Sequence, residues 1–397
     1  MKRFLRILTI AAMTAFTVMS ASAQDGTSLA DDFIRDFRAA DGAVKLQILQ
    51  ASTDHPADEL EPLYLEVLEF VVGNAGDRIT DQSTRDMYQT AVNRLEETGS
   101  TMAALRVWEI FELDRNTSQR LFLLEALQVI GRDVSRLYAR LNNWVLTQNS
   151  LARSGQSIDR QVLGTAIQTI ASFDDPFFLE ALLSTITYGY PGAIDDPARE
   201  AVRNFGDQQV DLLKNLIPRQ ALERQLEQLD YIRRREDFTI DEQAEIAAEV
   251  LDFAVNRQIS TSADRALNRR LRNEAAALIR DAAYEPASLQ VLEHFNIAAV
   301  DYENRRISQA EMLDAIEALG SVGTQEAAIR LTRYMEYLNT QTQNDRPVST
   351  QVVLTVINNL RDLGYADAYS TLFYATMLEY PSRVQDALQE AVDEVRQ

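Results

Sequence analysis

Cysteine is absent from all 397 residues. No disulfide can staple this fold and no thiolate can act as nucleophile or soft metal ligand, so stability must come from burial of apolar surface. Histidine is nearly absent as well. His55 and His294 stand 239 positions apart, and no His-Glu-x-x-His run exists. A zinc site asks for three or four ligands, so no metal centre is expected. His55, ahead of Pro56, reads as a turn residue, and His294 in VLEHF as a structural residue near a helix end. A Ser–His–Asp site would lack its Gly-x-Ser-x-Gly elbow. Neither Gly-x-Gly-x-x-Gly nor the Walker pattern occurs, so no nucleotide or other cofactor is expected. The acidic pairs Asp174-Asp175 and Asp195-Asp196 sit in no Asp-x-Asp-x-Asp-Gly calcium loop.

Lysine is the next scarcity: only Lys2, Lys45 and Lys214 occur, and arginine supplies the other cations. Against 39 basic residues stand 60 acidic ones, for a formal charge of −21. Such a field repels nucleic acid and anionic headgroups, so neither is expected as a partner of the chain as a whole.

Long hydrophobic runs are missing beyond the first residues. Lys2, Arg3 and Arg6 form a positive segment, Ile7 to Met19 is apolar, and Ala21-Ser22-Ala23 offers a small-x-small cleavage pattern. Residues 1–23 therefore read as a cleaved export signal. The apolar core falls short of the roughly 20 residues that span a bilayer, so no stable membrane insertion is expected after cleavage. Without cysteine, the acylation that anchors a bacterial lipoprotein is not open to this chain. Loss of three positive charges with the signal leaves −24 on the mature chain. The expected location is periplasmic or secreted.

What the sequence has in plenty is helix. Ala, Leu, Glu, Gln and Arg dominate, and these are good helix formers. No alternation of β-branched and polar residues is long enough for a strand. With 14 glycines and 9 prolines, punctuation is sparse and falls between periodic segments. The stretch DAIEALGSVGTQEAAIRLTRYM (Asp314 to Met335) joins two amphipathic helices by a Gly-Ser-Val-Gly turn. Ala315, Ile316 and Leu319 share one face, Gly320 is expected to close the first helix in the left-handed region, and Thr324 to cap the second. The pattern recurs. Its Ala/Val–hydrophobic pairs begin at Ala91, Ala126, Ala166, Ala201, Ala315 and Val356, with neighbouring separations of 35, 40, 35 and 41. Between 201 and 315 the phase is poorer, with Ala275 the best intermediate, and the region around 219–300 reads as a less regular stretch, an inserted long hairpin. A period near 40 with two helices per unit is the mark of a helical solenoid.

Asp196-Pro197-Ala198-Arg199-Glu200-Ala201-Val202, followed by Phe205-Gly206-Asp207, resembles a HEAT repeat of the short, lyase-like type. That type carries Asp-Pro-x-x-Arg-x-x-Ala before a Leu-Gly turn; here Arg199 falls one position early and phenylalanine replaces leucine. Asp314 to Gly323 resembles the second half of such a repeat, and Tyr380-Pro381-Ser382-Arg383-Val384 with Ala387-Leu388 a last, degenerate copy. The resemblance implies an all-α fold, a right-handed α-solenoid of antiparallel helix pairs, over 61–397. Residues 24–60 are then lead-in and capping helices, with Asp25 to Gly42 a mobile approach. It also implies binding and scaffolding. The family's bilin-acting branch fits poorly with export, because those substrates are made inside the cell. Asp175-Pro176 and Asp196-Pro197 are each expected to set a capping carboxylate before a proline at the first helical position.

Two residue groups stand out as candidate contact sites. Arg233, Arg234 and Arg235, with Arg265, Arg269, Arg270 and Arg272, are basic clusters on an acidic chain. They read first as solvated faces paired with Glu223, Glu227, Glu236 and Glu274, and otherwise as a docking patch for an acidic partner or a cell-wall phosphate. Aromatic residues crowd the C-terminal part: Tyr334, Tyr337, Tyr365, Tyr369, Phe373, Tyr374 and Tyr380. Most should be core, while Tyr334 and Tyr337, or Tyr369 and Phe373, are candidates to line a partner-binding groove, since tyrosine is enriched at hot spots. The expected function is a non-catalytic scaffold that binds another envelope protein. Two alternatives stay open: a cell-wall-acting enzyme with a glutamate of raised pKa, and a structural envelope component whose repeats self-associate.

Overall fold

The computed structural model describes residues 28–74 and 79–395. The export signal read in residues 1–23 lies outside the described residues. As the helical periodicity predicted, the protein is all-α: twenty α-helices, with no strand among the described residues. Two compact units divide the chain, Met1–Ala201 and Val202–Gln397.

The first unit holds α1 (Leu29–Ala39), α2 (Gly42–Ser52), α3 (Glu61–Gly73), α4 (Gln82–Thr98), α5 (Ala104–Leu113), α6 (Thr117–Ile130), α7 (Ser135–Arg153), α8 (Arg160–Phe173) and α9 (Leu179–Tyr188). The boundary falls in α10 (Gly192–Asn204). Odd-numbered helices pack in one row, α1 on α3, α3 on α5, α5 on α7 and α7 on α9. Even-numbered helices α2, α4, α6 and α8 pack in a second row, and each pair such as α3 and α4 joins the rows.

In the second unit lie α11 (Gln209–Leu216), α12 (Leu222–Arg233), α13 (Ile240–Asn256), α14 (Ser262–Ala282), α15 (Ser288–Glu303), α16 (Gln309–Ser321), α17 (Gln325–Gln343), α18 (Thr350–Leu363), α19 (Tyr369–Ala375) and α20 (Ser382–Val395). The same rule governs them. Helices α11, α13, α15, α17 and α19 form one row; α12, α14, α16, α18 and α20 form the other.

The repeated sequence pairs explain the even-numbered rows. Ala91 and Val92 lie on α4, Ala126 and Leu127 on α6, Ala166 and Ile167 on α8, Ala315 and Ile316 on α16, Val356 and Ile357 on α18, all buried. A small residue beside a branched one lets successive helices of a row approach closely while filling the gap between them. At roughly 1.5–3 kcal/mol per large apolar side chain, one pair of helices buries too little to offset the backbone entropy of ordering it. Neighbours on both sides are required.

The stretch 219–300 obeys the same packing rule, and two features accompany its poor phase. Helix α14, at 21 residues, is the longest of the described helices. On α12 the interior positions include Gln225 and Gln228, both buried, where other repeats have Ala and a hydrophobe. Gln225 is kept inside by hydrogen bonds from its amide to the carbonyls of Pro218 and Gln220.

Three local expectations need correction. Gly320 does not end α16: the helix runs to Ser321, and the left-handed residue is Gly323, at φ 71°. Gly320 is small for a different reason. A Cβ there would lie 1.7 Å from Asn359 Oδ1 and 2.9 Å from Asn359 Cβ, so the missing side chain admits α18. Thr324 does cap α17, accepting from the Ala327 N–H. Pro197 lies inside α10 and not at its start, because the chain already turns helical at Gly192; Asp195 there pairs with Arg199 at 2.6 Å. Asp175, by contrast, caps a short turn as expected, accepting from Phe177 N at 2.8 Å. Finally, Leu29–Ala39 is no mobile approach. Ser28 and Asp31 form a capping box at its start, and Phe33 and Phe37 are each 1% exposed.

Candidate functional site

The aromatic residues of α17 and α19 divide by depth. Tyr334 points inward, its ring edge-on to Phe295 of α15 at 5.4 Å, and burial pushes its phenol far above the ordinary value. Tyr337, one turn on, stacks on Tyr334 at 5.9 Å and is 36% exposed. Tyr369 and Phe373 stack at 6.0 Å along the face of α19, Tyr369 half-buried and Phe373 44% exposed. Tyr374 and Met377 are exposed beside Phe373. Tyr374 also lines a shallow cleft with Glu336, Asn339, Thr340, Ser370 and Thr371, between α17 and α19. The solvent-facing aromatic residues are therefore Tyr337 on α17, supported by Tyr334, and Phe373 and Tyr374 on α19, with Met377 just beyond it. Met377 carries no helical-period signal, because it follows the end of α19; sequence reading had no reason to include it.

Arg233, Arg234 and Arg235 are consecutive, so a helix end sends them in three directions. Arg233 bridges to Glu274 of α14 at 2.7 Å. Arg234 pairs with Asp230 one turn back, on the exposed side. Arg235 is 7% exposed and wholly engaged. It binds Asp237, donates to Tyr231 Oη at 2.8 Å and to Gln209 Oε1 at 3.2 Å, and lies over the Phe238 ring. Burial pulls its guanidinium's proton affinity down, but the hydrogen bonds it donates to Asp237 and Tyr231, together with the charge of Asp237, outweigh that and hold it above the ordinary value. Arg235 is thus a joint of the second unit and offers nothing to a partner.

The second basic group also splits. Arg270 joins Arg233 along a cleft of about 320 Å³ whose carboxylates are Glu223, Glu227, Asp230 and Glu274, close to the solvated pairing expected. Arg265, Arg269 and Arg272 face a separate cavity. Arg272 is buried, and desolvation lowers its proton affinity. His294 of α15 lies nearby, 2% exposed, its pKa driven down to about 3 by burial and then by the Arg272 charge. His55 is half-buried, edge-on to Phe33 at 5.6 Å, with its carbonyl accepting from Arg94.

Among the described residues no cluster of three or more His, Asp or Glu is placed to hold a metal ion. No helix there is long and apolar enough to cross a membrane.

No protein-family model matches this chain, and no curated protein matches it either. Among solved structures it is similar to one described as an engineered protein, at 14% identity and a TM-score of 0.32, over 93% of this chain and 99% of that one. At that score the likeness carries no argument about fold or function.

Proposed function

We propose that this chain is an exported, non-catalytic scaffold, periplasmic or secreted, that binds another envelope protein through a right-handed α-solenoid of antiparallel HEAT-like helix pairs. The observation that carries the reading is the neighbour rule: within each unit, each row runs helix on next-but-one helix, pairs of consecutive helices join the rows, and the sequence repeat falls on one row. That is the pattern expected of stacked hairpins, whose side-chain faces are long, continuous and suited to large partners.

The exposed aromatic residues of α17 and α19 support a protein partner over a small ligand. Tyr337, Phe373, Tyr374 and Met377 present aromatic and thioether area to solvent on a strongly acidic chain. Aromatic and methionine side chains are enriched at the desolvated centres of interfaces.

Affinity capture on the mature chain from an envelope fraction tests this directly. A distinct protein retained by the native chain and lost with Phe373→Ser supports the scaffold. Recovery of the chain alone would indicate a self-associating component, and release of soluble fragments from purified murein would indicate an enzyme.

A further inference from the structure

On α14, Arg265, Arg269 and Arg272 stand at i, i+4 and i+7, so their side chains rise on one face of the helix. That face forms one wall of a cavity of about 540 Å³; Ile297 and Asp301 of α15, with Arg306 in the turn beyond it, form the other. The volume lies within the range of small-molecule sites, roughly 300–1,000 Å³.

Arg272 sits deepest, 6% exposed. Its Nε and Nη1 are shut off from solvent and have no hydrogen-bond partner. A buried guanidinium without a counter-charge is strongly disfavoured, and the usual remedy is an anion that accepts from several of its donors. The surrounding charges are partly matched. Arg269 pairs with Glu311 at 3.2 Å and Arg306 with Asp301 at 3.4 Å, while Arg265 reaches only the Thr261 carbonyl. Four guanidinium groups against two carboxylates leave an excess of two positive charges, on a chain whose formal charge is −21. One further wall atom, Asn268 Oδ1, is a buried acceptor without a partner, its amide nitrogen being held by the Ala254 carbonyl.

We propose that this cavity binds a phosphoryl group, with Arg272 at its floor and Arg265, Arg269 and Arg306 around it. A phosphate dianion matches the excess charge, and its several oxygens meet donors arriving from different directions. A protonated phosphate oxygen, or a water it carries, satisfies Asn268. The phosphoryl group is either free phosphate or an ester, or the headgroup of an anionic lipid; all three share the chemistry. This site is separate from the aromatic face and does not depend on the scaffold reading.

Thermal unfolding of the full chain at mildly alkaline pH, where inorganic phosphate is a dianion, tests the proposal. Inorganic phosphate at a hundredfold excess over its Kd should raise Tm by roughly 5–10 °C, while sodium chloride at matched ionic strength should not. The variant R272M should unfold at or above the native temperature, because it removes an unmatched buried charge, and should lose the phosphate response. Should R272M fail to fold, R265Q, at an exposed position, should weaken phosphate binding about tenfold instead. Glycerol 3-phosphate and phosphatidylcholine vesicles containing phosphatidic acid then separate the sources: a response to either identifies the carrier. An equal response to chloride, or a phosphate response undiminished in both variants, would overturn the proposal.

Discussion

Replacing His294 with glutamine should remove a pH dependence that the native protein carries between pH 6.5 and about 4.5. Burial and the nearby Arg272 charge depress the folded-state pKa of His294 from 6.5 to about 3. In the unfolded chain the imidazole protonates near 6.5, so below that pH the unfolded state binds the extra proton. The histidine's contribution is therefore fully present above pH 6.5 and is lost as pH falls toward 3. Each unit of pH in that window removes about 1.4 kcal/mol, or about 2.7 kcal/mol between 6.5 and 4.5 and about 5 kcal/mol in all. Carboxylates held down in the folded state, among them Glu66 by Arg38 and Asp237 by Arg235, begin to matter only nearer the ordinary Glu value of 4.5. The upper window thus isolates the histidine. The other groups around it are Asn273, Arg280 and Asp314, which line the small cavity it borders, and Arg272 itself. Native-state hydrogen exchange at the amides of α15 measures the local opening free energy as a function of pH. The native chain should show the slope and His294→Gln should be flat. Equal slopes in the two proteins would refute the reasoning.

Three further outcomes follow from packing and surface. Gly320→Ala should destabilise the second unit by about 1–3 kcal/mol through its clash with Asn359, despite a gain of about 1 kcal/mol in helix propensity, and Asn359→Ala in the same chain should restore most of the loss, read by urea unfolding. Asp114 is fully buried and accepts from Arg85 at 3.2 Å, Tyr88 at 3.0 Å and the Asn116 N–H at 2.8 Å. Asp114→Ala should therefore remove about 3–5 kcal/mol from the first unit. Tryptophan fluorescence reports it selectively, since Trp108 and Trp144 both lie before residue 201. Phe373→Ser and Tyr374→Ser should leave circular dichroism unchanged and weaken partner capture by at least about tenfold, the loss expected at an interface hot spot, whereas Tyr334→Ser should lower helicity because its ring is interior.

Fold class was readable in the residues because helical periodicity is local: a stripe at i, i+3 and i+4 reports its own burial without knowledge of what covers it. The recurring pairs from Ala91 to Val356 were readable for the same reason, and they turn out to mark one row of helices in each unit. Capping by Thr324 and Asp175 was equally local. Where the sequence reading failed, the deciding partner lay far away in the chain. Gly320 looks like a terminator until Asn359 is set against it, and Arg235 looks like a surface charge until Gln209, Asp237 and Phe238 close around it.

By itself, then, the sequence determined that this chain is helical, repeated, free of disulfides and strongly acidic. These are properties of composition and of neighbours within one or two turns. Only tertiary structure decided which arginines are spent on salt bridges, which aromatics face water, and that Arg272 lies buried without a partner. A side chain's charge is written in the sequence, but its solvation and its counter-charge are set by residues tens of positions away.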